Sequence, residues 1–393
     1  MELFHAAEDW LKSLSSEAQF FRTSTKPSLE VMRCFLSHLD HPDRSFQMRV
    51  IVGGTAGKGS VCRLVEDVLV RSGKSVVTLM SPHVQVVTER IRLNGKLITP
   101  EAFGESILKI KEVSEKIDQK PTYYEAIVLA GILYGQESGA EICIGEIGLG
   151  GSWDAVNAMD GPRIAALTFV GDDHRDILGP TLEDIAITKS GIFTKDCVKV
   201  FSFEQKYRSI LSKEADCEIE FVKGISKKLN KKIAQKIVKT ILKEVGVDFQ
   251  KVATPGRWET MPDTQKIILD GAHSIDRFLY RLPQIKKQEG KIVGVCAMAQ
   301  NHDPSAFQVV LEELDDVIWT TIAGERGFWS PTELAQRFGR GEIEEDPQKA
   351  LVLARERGDV VLVTGSFYLC GLLRENWYSK EAILLQQTEF PSV

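Results

Sequence analysis

The stretch RVIVGGTAGKGSVCRLVEDVL, Arg49 to Leu69, constrains the fold more than any other part of the chain. Val50, Ile51 and Val52 form an apolar β-run that breaks at Gly53, Gly54, Gly57 and Gly59, after which apolar residues resume at helical spacing. A strand that ends in glycines and re-enters as a helix belongs to an α/β fold, a mostly parallel sheet covered by helices with ligands at the strand carboxyl ends. Glycines let backbone amides converge on an anion without Cβ obstruction, and the helix dipole adds positive potential. Lys58 supplies a point charge and Ser60 a hydroxyl. The general phosphate-loop spacing asks for a glycine five places before the Gly of its Gly-Lys pair and a hydroxyl straight after the lysine. Val52 and Gly59 occupy those places here, so this stretch alone leaves open a phosphate site or a glycine-rich turn with a surface lysine.

The rest of the chain repeats the alternation. Helices are expected over about 60–73, 100–118, 122–138 and 181–190, between strand-like runs SVVTLM, EICIGEIG, RIAALTFVG and CVKVFSF. Leu229, Ile233, Ile237 and Ile241 recur four apart among lysines, the pattern of an amphipathic helix with a solvated basic face. KVATPGRWETMPDTQ then interrupts the periodicity, and a second alternating series follows. A chain of 393 residues exceeds one ordinary core. The expectation is a first domain over 1–253 and a smaller α/β domain of Rossmann type over 254–393. The two are expected to face each other across a cleft, with Thr254 to Pro255 as the hinge.

Bulk charge excludes some classes of partner. Lysine plus arginine number 49 against 55 acidic residues, a net charge of −6, which offers no general attraction for nucleic acid or anionic lipid. The start, MELFHAAEDWLKSL, is acidic and amphipathic where a signal peptide would be basic and then apolar, and no apolar run reaches membrane-spanning length. A cytoplasmic protein without membrane or nucleic-acid partners is expected, and a monomer. Seven scattered cysteines without a CxxC pair indicate reduced thiols, neither a disulfide framework nor a cysteine zinc site.

Three further strand ends carry polar groups. TLMSPH supplies Ser81 and His83; CIGEIGLGGSWDAVN supplies Glu146, Asp154 and Asn157; LTFVGDDHRDILG supplies Asp172, Asp173, His174 and Asp176. Oxygen and imidazole donors of this kind suit a hard divalent ion shared with phosphate oxygens. Glu146 in an apolar strand is costly to bury without a cation. His174 alone reads more often as a helix-cap or structural hydrogen-bonding residue than as a ligand, and Ser81 before a proline also reads as a strand terminus.

The order of these pieces resembles the Mur-ligase superfamily, most closely the folylpolyglutamate synthase/dihydrofolate synthase family. GGTAGKGS is similar to that family's G-T-N-G-K-G-S, a variant phosphate loop with glycine after the lysine. SPHVQVVTERIRLNGKLIT, EIGLGGSWDAVNAMD and DDHRDILGPTLEDIAITKSGI resemble its S-P-H-L…E-R-I-R-I-N-G, E-V-G-L-G-G-R-x-D-A-T-N and L-D-H…L-G-x-T-x-x-x-I-A-x-E-K-A-G-I segments. PGRWE, LDGAHS and VTGSFYLCG resemble P-G-R-x-E, L-D-G-A-H-N and V-x-G-S-L-Y-L-V-G.

The resemblance implies an ATP- and magnesium-dependent amide ligase. It would phosphorylate the carboxylate of dihydropteroate or a folate and let the amino group of L-glutamate displace the phosphate. It assigns Gly54, Thr55, Gly57, Lys58, Gly59 and Ser60 to the nucleotide phosphates, and Ser60, Ser81, Glu146 and His174 to the metal. Lys189 matches a lysine that the family carbamylates, and Asn230 an asparagine near adenine, although the family's preceding glutamine is Lys227. Arg257, Asp270 and His273 would close over the nucleotide, with Lys58, His174, Lys189 and His273 the catalytic set, and Ser366 would hold glutamate. Four positions depart from the pattern: Ala56, Ser152, Ser274 and His302. They bear on acceptor identity and rate more than on ATP binding. Two alternatives stand beside this reading, a ligase of the same superfamily with another acceptor and a non-catalytic ATP-binding homologue; a nucleic-acid module rests only on the lysine-rich helix.

Overall fold

The computed structural model describes residues 1–14, 29–172, 174–224, 226–243, 248–250, 252–323 and 327–392. Two compact units divide the chain: Met1–His83 with Val87–Val252, and Val84–Val86 with Ala253–Val393.

Among the described residues of the first unit, eight strands form one sheet in the order β4-β3-β2-β5-β1-β6-β7-β8. They are β1 (Met48–Gly53), β2 (Val76–Leu79), β3 (Ile91–Leu93), β4 (Lys96–Leu97), β5 (Ile142–Glu146), β6 (Arg163–Leu167), β7 (Cys197–Ser202) and β8 (Ile219–Phe221). From β2 to β8 all neighbours are parallel. The other edge departs from the parallel pattern, because Asn94 and Gly95, both at positive φ, make a two-residue turn that sends β4 back antiparallel to β3.

Central β1 lies between β5 and β6, so the strand order reverses at its carboxyl end, the crevice where such sheets bind ligands. Its near-continuous apolar run reflects burial on both faces. Val50 and Val52 share one apolar core with Val61, Val65 and Val68 of the helix Lys58–Arg71 and with Ile233 and Ile237 of the helix Ser226–Leu242. The expected apolar stripe of the lysine-rich helix is therefore a core face. The helices Pro100–Ile117 and Tyr123–Glu137 start where Thr99 and Thr122 cap them, the second through a capping box with Glu125.

The second unit carries, among its described residues, six strands ordered β13-β12-β11-β14-β10-β9. These are β9 (Arg257–Thr260), β10 (Lys266–Asp270), β11 (Ile292–Cys296), β12 (Asp316–Trp319), β13 (Glu342–Ile343) and β14 (Val360–Thr364). All pair in parallel except β9, which runs antiparallel to β10.

Val84–Val86 belongs here because of a buried polar knot. Arg374, fully buried, donates from Nε to both carboxylate oxygens of Glu259 at 2.9 and 3.1 Å. Its Nη atoms donate to Gln85 Oε1 and the Glu389 carbonyl, and Gln85 Nε2 donates to the Tyr378 carbonyl at 2.8 Å. Val84 joins the apolar core beside Phe367 and Cys370.

Candidate active site

The site grows from the loop after β1. Gly54 and Gly57 adopt φ of 133° and 92°, conformations that L side chains rarely tolerate. A Cβ on Gly54 would stand 2.0 Å from Thr168 Oγ1, so the loop lies directly on the segment after β6. Thr55 fastens it there: its N–H donates to the Phe169 carbonyl at 2.6 Å, and its hydroxyl accepts from Gly171 N–H at 3.0 Å. With Gly57 as N-cap, the helix begins at Lys58, two residues earlier than its apolar spacing suggests.

Charged groups gather on this loop. Lys58 Nζ donates to the Gly54 carbonyl at 2.9 Å, and the buried Lys189, on the helix Leu182–Ser190, reaches the same oxygen at 3.5 Å. Glu146, at the end of β5 and 2% exposed, accepts from Ser81 N–H at 3.1 Å. A Cβ on Gly59 would stand 3.3 Å from Glu146 Oε2, so the carboxylate lies over the first turn of the helix, where the dipole favours an anion. Asn230 closes the other side, its amide 2.7 Å from where a Cβ on Gly57 would stand. The loop, Glu146, Ser81, Lys189 and Asn230 are thus brought together within the first unit.

Hydroxyl, carboxylate and imidazole donors at Ser60, Ser81, Glu146 and His174 fit a hard divalent ion in their chemistry. The glycine at 59 spares the Glu146 oxygens a Cβ at 3.3 and 3.5 Å. Among the described residues no group of three His, Cys, Asp or Glu side chains forms a metal cluster, so protein hydroxyls and phosphate oxygens would complete the shell. His174 begins the short helix Arg175–Leu178 at a φ of 54°.

Other strand-end candidates serve the scaffold. Asp154 is fully buried and accepts from the N–H groups of Gly148, Leu149 and Val156 at 2.8, 2.9 and 3.0 Å. Burial lifts its carboxyl to about 7, against those three donors and the nearby charge of Lys58. Asn157 donates to the Gly191 carbonyl at 3.0 Å and accepts from Arg163 at 2.8 Å. The expectation that these two offer oxygen ligands is corrected, since their polar atoms meet protein groups. Asp172 pairs with Arg175 on the surface, and Asp173 lies outside the described residues. Ser152 donates to the Thr188 carbonyl at 3.3 Å and packs on Gly191. The Lys227 side chain is likewise outside the described residues.

In the second unit, buried Asp270 ends β10, with Arg281 Nε 2.6 Å from Oδ2 and Ala272 N–H donating to Oδ1 at 3.1 Å. Burial raises its carboxyl above the ordinary range, opposed first by Arg281 and also by Arg257. His273 Nδ1 lies 2.7 Å from the Gly271 carbonyl, to which a proton on Nδ1 is donated. The His273 ring stands 4.3 Å from that of His302 and 5.9 Å from Phe367, and Arg257 lies over Phe367 at 4.9 Å. Arg257, His273 and His302 therefore share one aromatic platform. In the sequence His302 stands only as a departure from the resembled pattern; no local signal announces a partner brought in by the loop after β11. Ser366 is 4% exposed and caps the helix Phe367–Arg374, accepting from Tyr368 and Leu369 N–H at 3.1 and 3.5 Å. Its hydroxyl oxygen accepts from the helix, whereas the family resemblance implies a place for it on glutamate.

A glycine loop at a helix N-terminus, at the switch point of a parallel sheet and backed by lysine and carboxylate, defines the first unit as a phosphate-binding α/β domain. The description "Mur ligase middle domain" matches residues 52–275. The chain belongs to the Mur ligase family, in its folylpolyglutamate synthase/dihydrofolate synthase group. It is 28% identical to a dihydrofolate synthase/folylpolyglutamate synthase of Haemophilus influenzae, over 81% of this chain and 86% of that protein. The Bacillus subtilis protein of the same description is 24% identical over 95% of this chain and 99% of its own. A probable bifunctional folylpolyglutamate synthase/dihydropteroate synthase of Haloferax volcanii is 26% identical over 95% of this chain, which spans 50% of that longer protein. Among solved structures, a Mycobacterium tuberculosis folylpolyglutamate synthase complexed with ADP superposes with a TM-score of 0.85 at 21% identity, covering 96% of this chain and 98% of that one. E. coli FolC with DHPP and ADP gives 0.81 at 22%, covering 94% and 97%. These likenesses agree with the mostly parallel two-sheet architecture. No helix among the described residues is long and apolar enough to cross a membrane.

Proposed function

We propose that this protein is an ATP-dependent ligase that joins L-glutamate to dihydropteroate, to a folate, or to both. The observation that carries the reading is the convergence of Lys58, Lys189 and Glu146 on one glycine loop at a helix N-terminus. Relatives described as dihydrofolate synthase/folylpolyglutamate synthase support the substrate class.

The amides of Gly57, Lys58, Gly59 and Ser60 cradle the phosphate oxygens of ATP, beside the close-packed Gly54 and the pinned Thr55. Lys58 exchanges the Gly54 carbonyl for a phosphate oxygen, and its charge offsets that developing on the transferred phosphoryl group. Ser60, Ser81, Glu146 and His174 would hold a divalent ion, which would supply positive charge to the phosphoryl group being transferred. The acceptor carboxylate takes the γ-phosphoryl group, and the glutamate amine displaces phosphate to form the amide. Lys189 acts beside the loop, as an ammonium or, carbamylated, as an anionic oxygen donor. Asn230 contacts the nucleotide from its place against Gly57. Arg257, Asp270 and His273 are the second unit's proposed nucleotide groups.

The test is purified protein with ATP, magnesium, L-glutamate and a panel of pteroate and folate acceptors, following ADP release and the mass of the glutamyl product. Failure to release ADP with every acceptor would overturn the proposal.

A further inference from the structure

The amino-terminal ends of β5, β1, β6 and β7 set Cys143, Arg49, Arg163 and Cys197 side by side in one register row. Register partners project to the same sheet face, so Cys197 neighbours the Arg163 guanidinium. Arg163 is 2% exposed; Nη1 donates to Asn157 and Nη2 to the Met159 carbonyl, while its buried Nε has no hydrogen-bond acceptor. β7 carries an irregularity there, since Cys197 pairs with Arg163 but Lys199, not Val198, pairs with Ile164. On the other side, β8 pairs Ile219 with Val200, which brings Cys217, two residues before Ile219, alongside the start of β7. The two thiols lie near enough to influence each other's titration, and Cys197 Sγ donates to the Ile192 carbonyl at 3.5 Å. Both are partly exposed, whereas Cys62, Cys143, Cys296 and Cys370 are buried.

We propose that Cys197 and Cys217 form a thiol–disulfide couple, closed by low-molecular-weight disulfides of the glutathione type, that staples β8 to β7. The order of events follows from the surroundings. Burial raises the Cys197 thiol above its ordinary range, while the backbone at Thr194 and the Arg163 charge favour its thiolate. Cys217 is pushed up to about 12, first by burial and then by the neighbouring Cys197. Cys197 therefore attacks: its thiolate bonds to one sulfur of the reagent disulfide and expels the other as a thiolate, which takes up a proton. Cys217 then loses its proton, attacks Cys197 Sγ in the mixed disulfide and expels the second reagent thiolate. Two protein thiols are oxidised and one reagent disulfide is reduced to two thiols. Raised thiols make closure slow at neutral pH and faster by about tenfold per unit from pH 7 to 9.

The test incubates the reduced full-length protein with oxidised glutathione at several pH values and maps peptides by mass spectrometry. Expected are a Cys197–Cys217 cross-link with a loss of about 2 Da, the stated pH acceleration, and a melting temperature raised by roughly 5 °C. Cys34→Ser keeps the cross-link; Cys197→Ser and Cys217→Ser each abolish it. A glutathione adduct on either residue that never closes, a cross-link to another cysteine, or both thiols unmodified at pH 9 would overturn the proposal. None of these readouts depends on ligase activity.

Discussion

Lys58 and Lys189, 131 residues apart in sequence, aim their ammonium groups at one acceptor, the Gly54 carbonyl, at 2.9 and 3.5 Å. That shared placement suits both ammonium groups to a polyanion at the loop. Lys58→Ala is expected to lower kcat/KM by about 10²–10³-fold, with a stability change under about 1 kcal/mol. Steady-state ADP release and urea unfolding check the pair of outcomes. Equal losses in rate and stability would make Lys58 a structural strut.

Gly57 tolerates no side chain for two separable reasons. Its φ of 92° strains any L residue, and a Cβ would meet the Asn230 amide at 2.7 Å. Gly57→Ala is expected to cost about 1–3 kcal/mol and to weaken ATP binding at least about tenfold, by calorimetry. Adding Asn230→Gly removes the collision but not the strain. The double variant should therefore recover part of the stability and little of the affinity.

Ser366 offers a sharper separation. Its hydroxyl accepts from two helix N–H groups, so Ser366→Ala is expected to cost about 1 kcal/mol of second-unit stability. With the oxygen committed to the cap, the KM for glutamate should stay within about twofold, close to the noise of one weak interaction. A large rise in KM at unchanged stability would return Ser366 to the substrate.

What the sequence made legible follows the range of the forces involved. The strand-loop-helix at Arg49 to Leu69, the capped helices and the buried Glu146 are written in local periodicity, turn chemistry and the cost of an unpaired carboxylate. Pairings across long separations are not. Nothing near His302 announces His273, and nothing near Gln85 announces Arg374, because these meet only after sheet order and loop docking are set. Asp154 and Asn157 looked like ligands since a polar residue at a strand end reads alike whether it faces a metal or the backbone. The spatial order of the strands, with β1 between β5 and β6, likewise comes from non-local packing.

Asp154 ties stability to pH. Its carboxyl titrates near 7 in the folded chain against an ordinary value of 3.8, so between those values the native state binds the extra proton. Stability from this group is therefore present at low pH, is lost as pH rises from about 4 to 7, and is level above, a difference on the order of 4 kcal/mol. Asp154→Asn abolishes that slope. It also turns an amide NH₂ toward backbone N–H donors, costing about 1–3 kcal/mol at pH 5. Urea unfolding of both proteins at pH 5 and 8 measures it: the variant should be clearly weaker at pH 5 and nearer the wild type at pH 8.

Arg374 is the last case, and its sign depends on what is removed with it. Fully buried, it is matched by Glu259, Gln85 and the Glu389 carbonyl and lies over the rings of Tyr378 and Phe390 at 4.5 and 5.1 Å. Burial already lifts the Glu259 carboxyl above its ordinary range despite Arg374. Arg374→Met leaves that carboxylate without its cation, and the second unit should lose about 3–5 kcal/mol. Adding Glu259→Gln withdraws the orphaned charge while keeping an oxygen for the Gly256 N–H, which now donates to Glu259 at 2.8 Å. The double variant should regain at least about 1 kcal/mol over the single one, a coupling that a thermodynamic cycle by urea unfolding measures directly. Strictly additive losses would mean that packing of the Arg374 stem on the two rings, not the ion pair, holds Val84–Val86 in place.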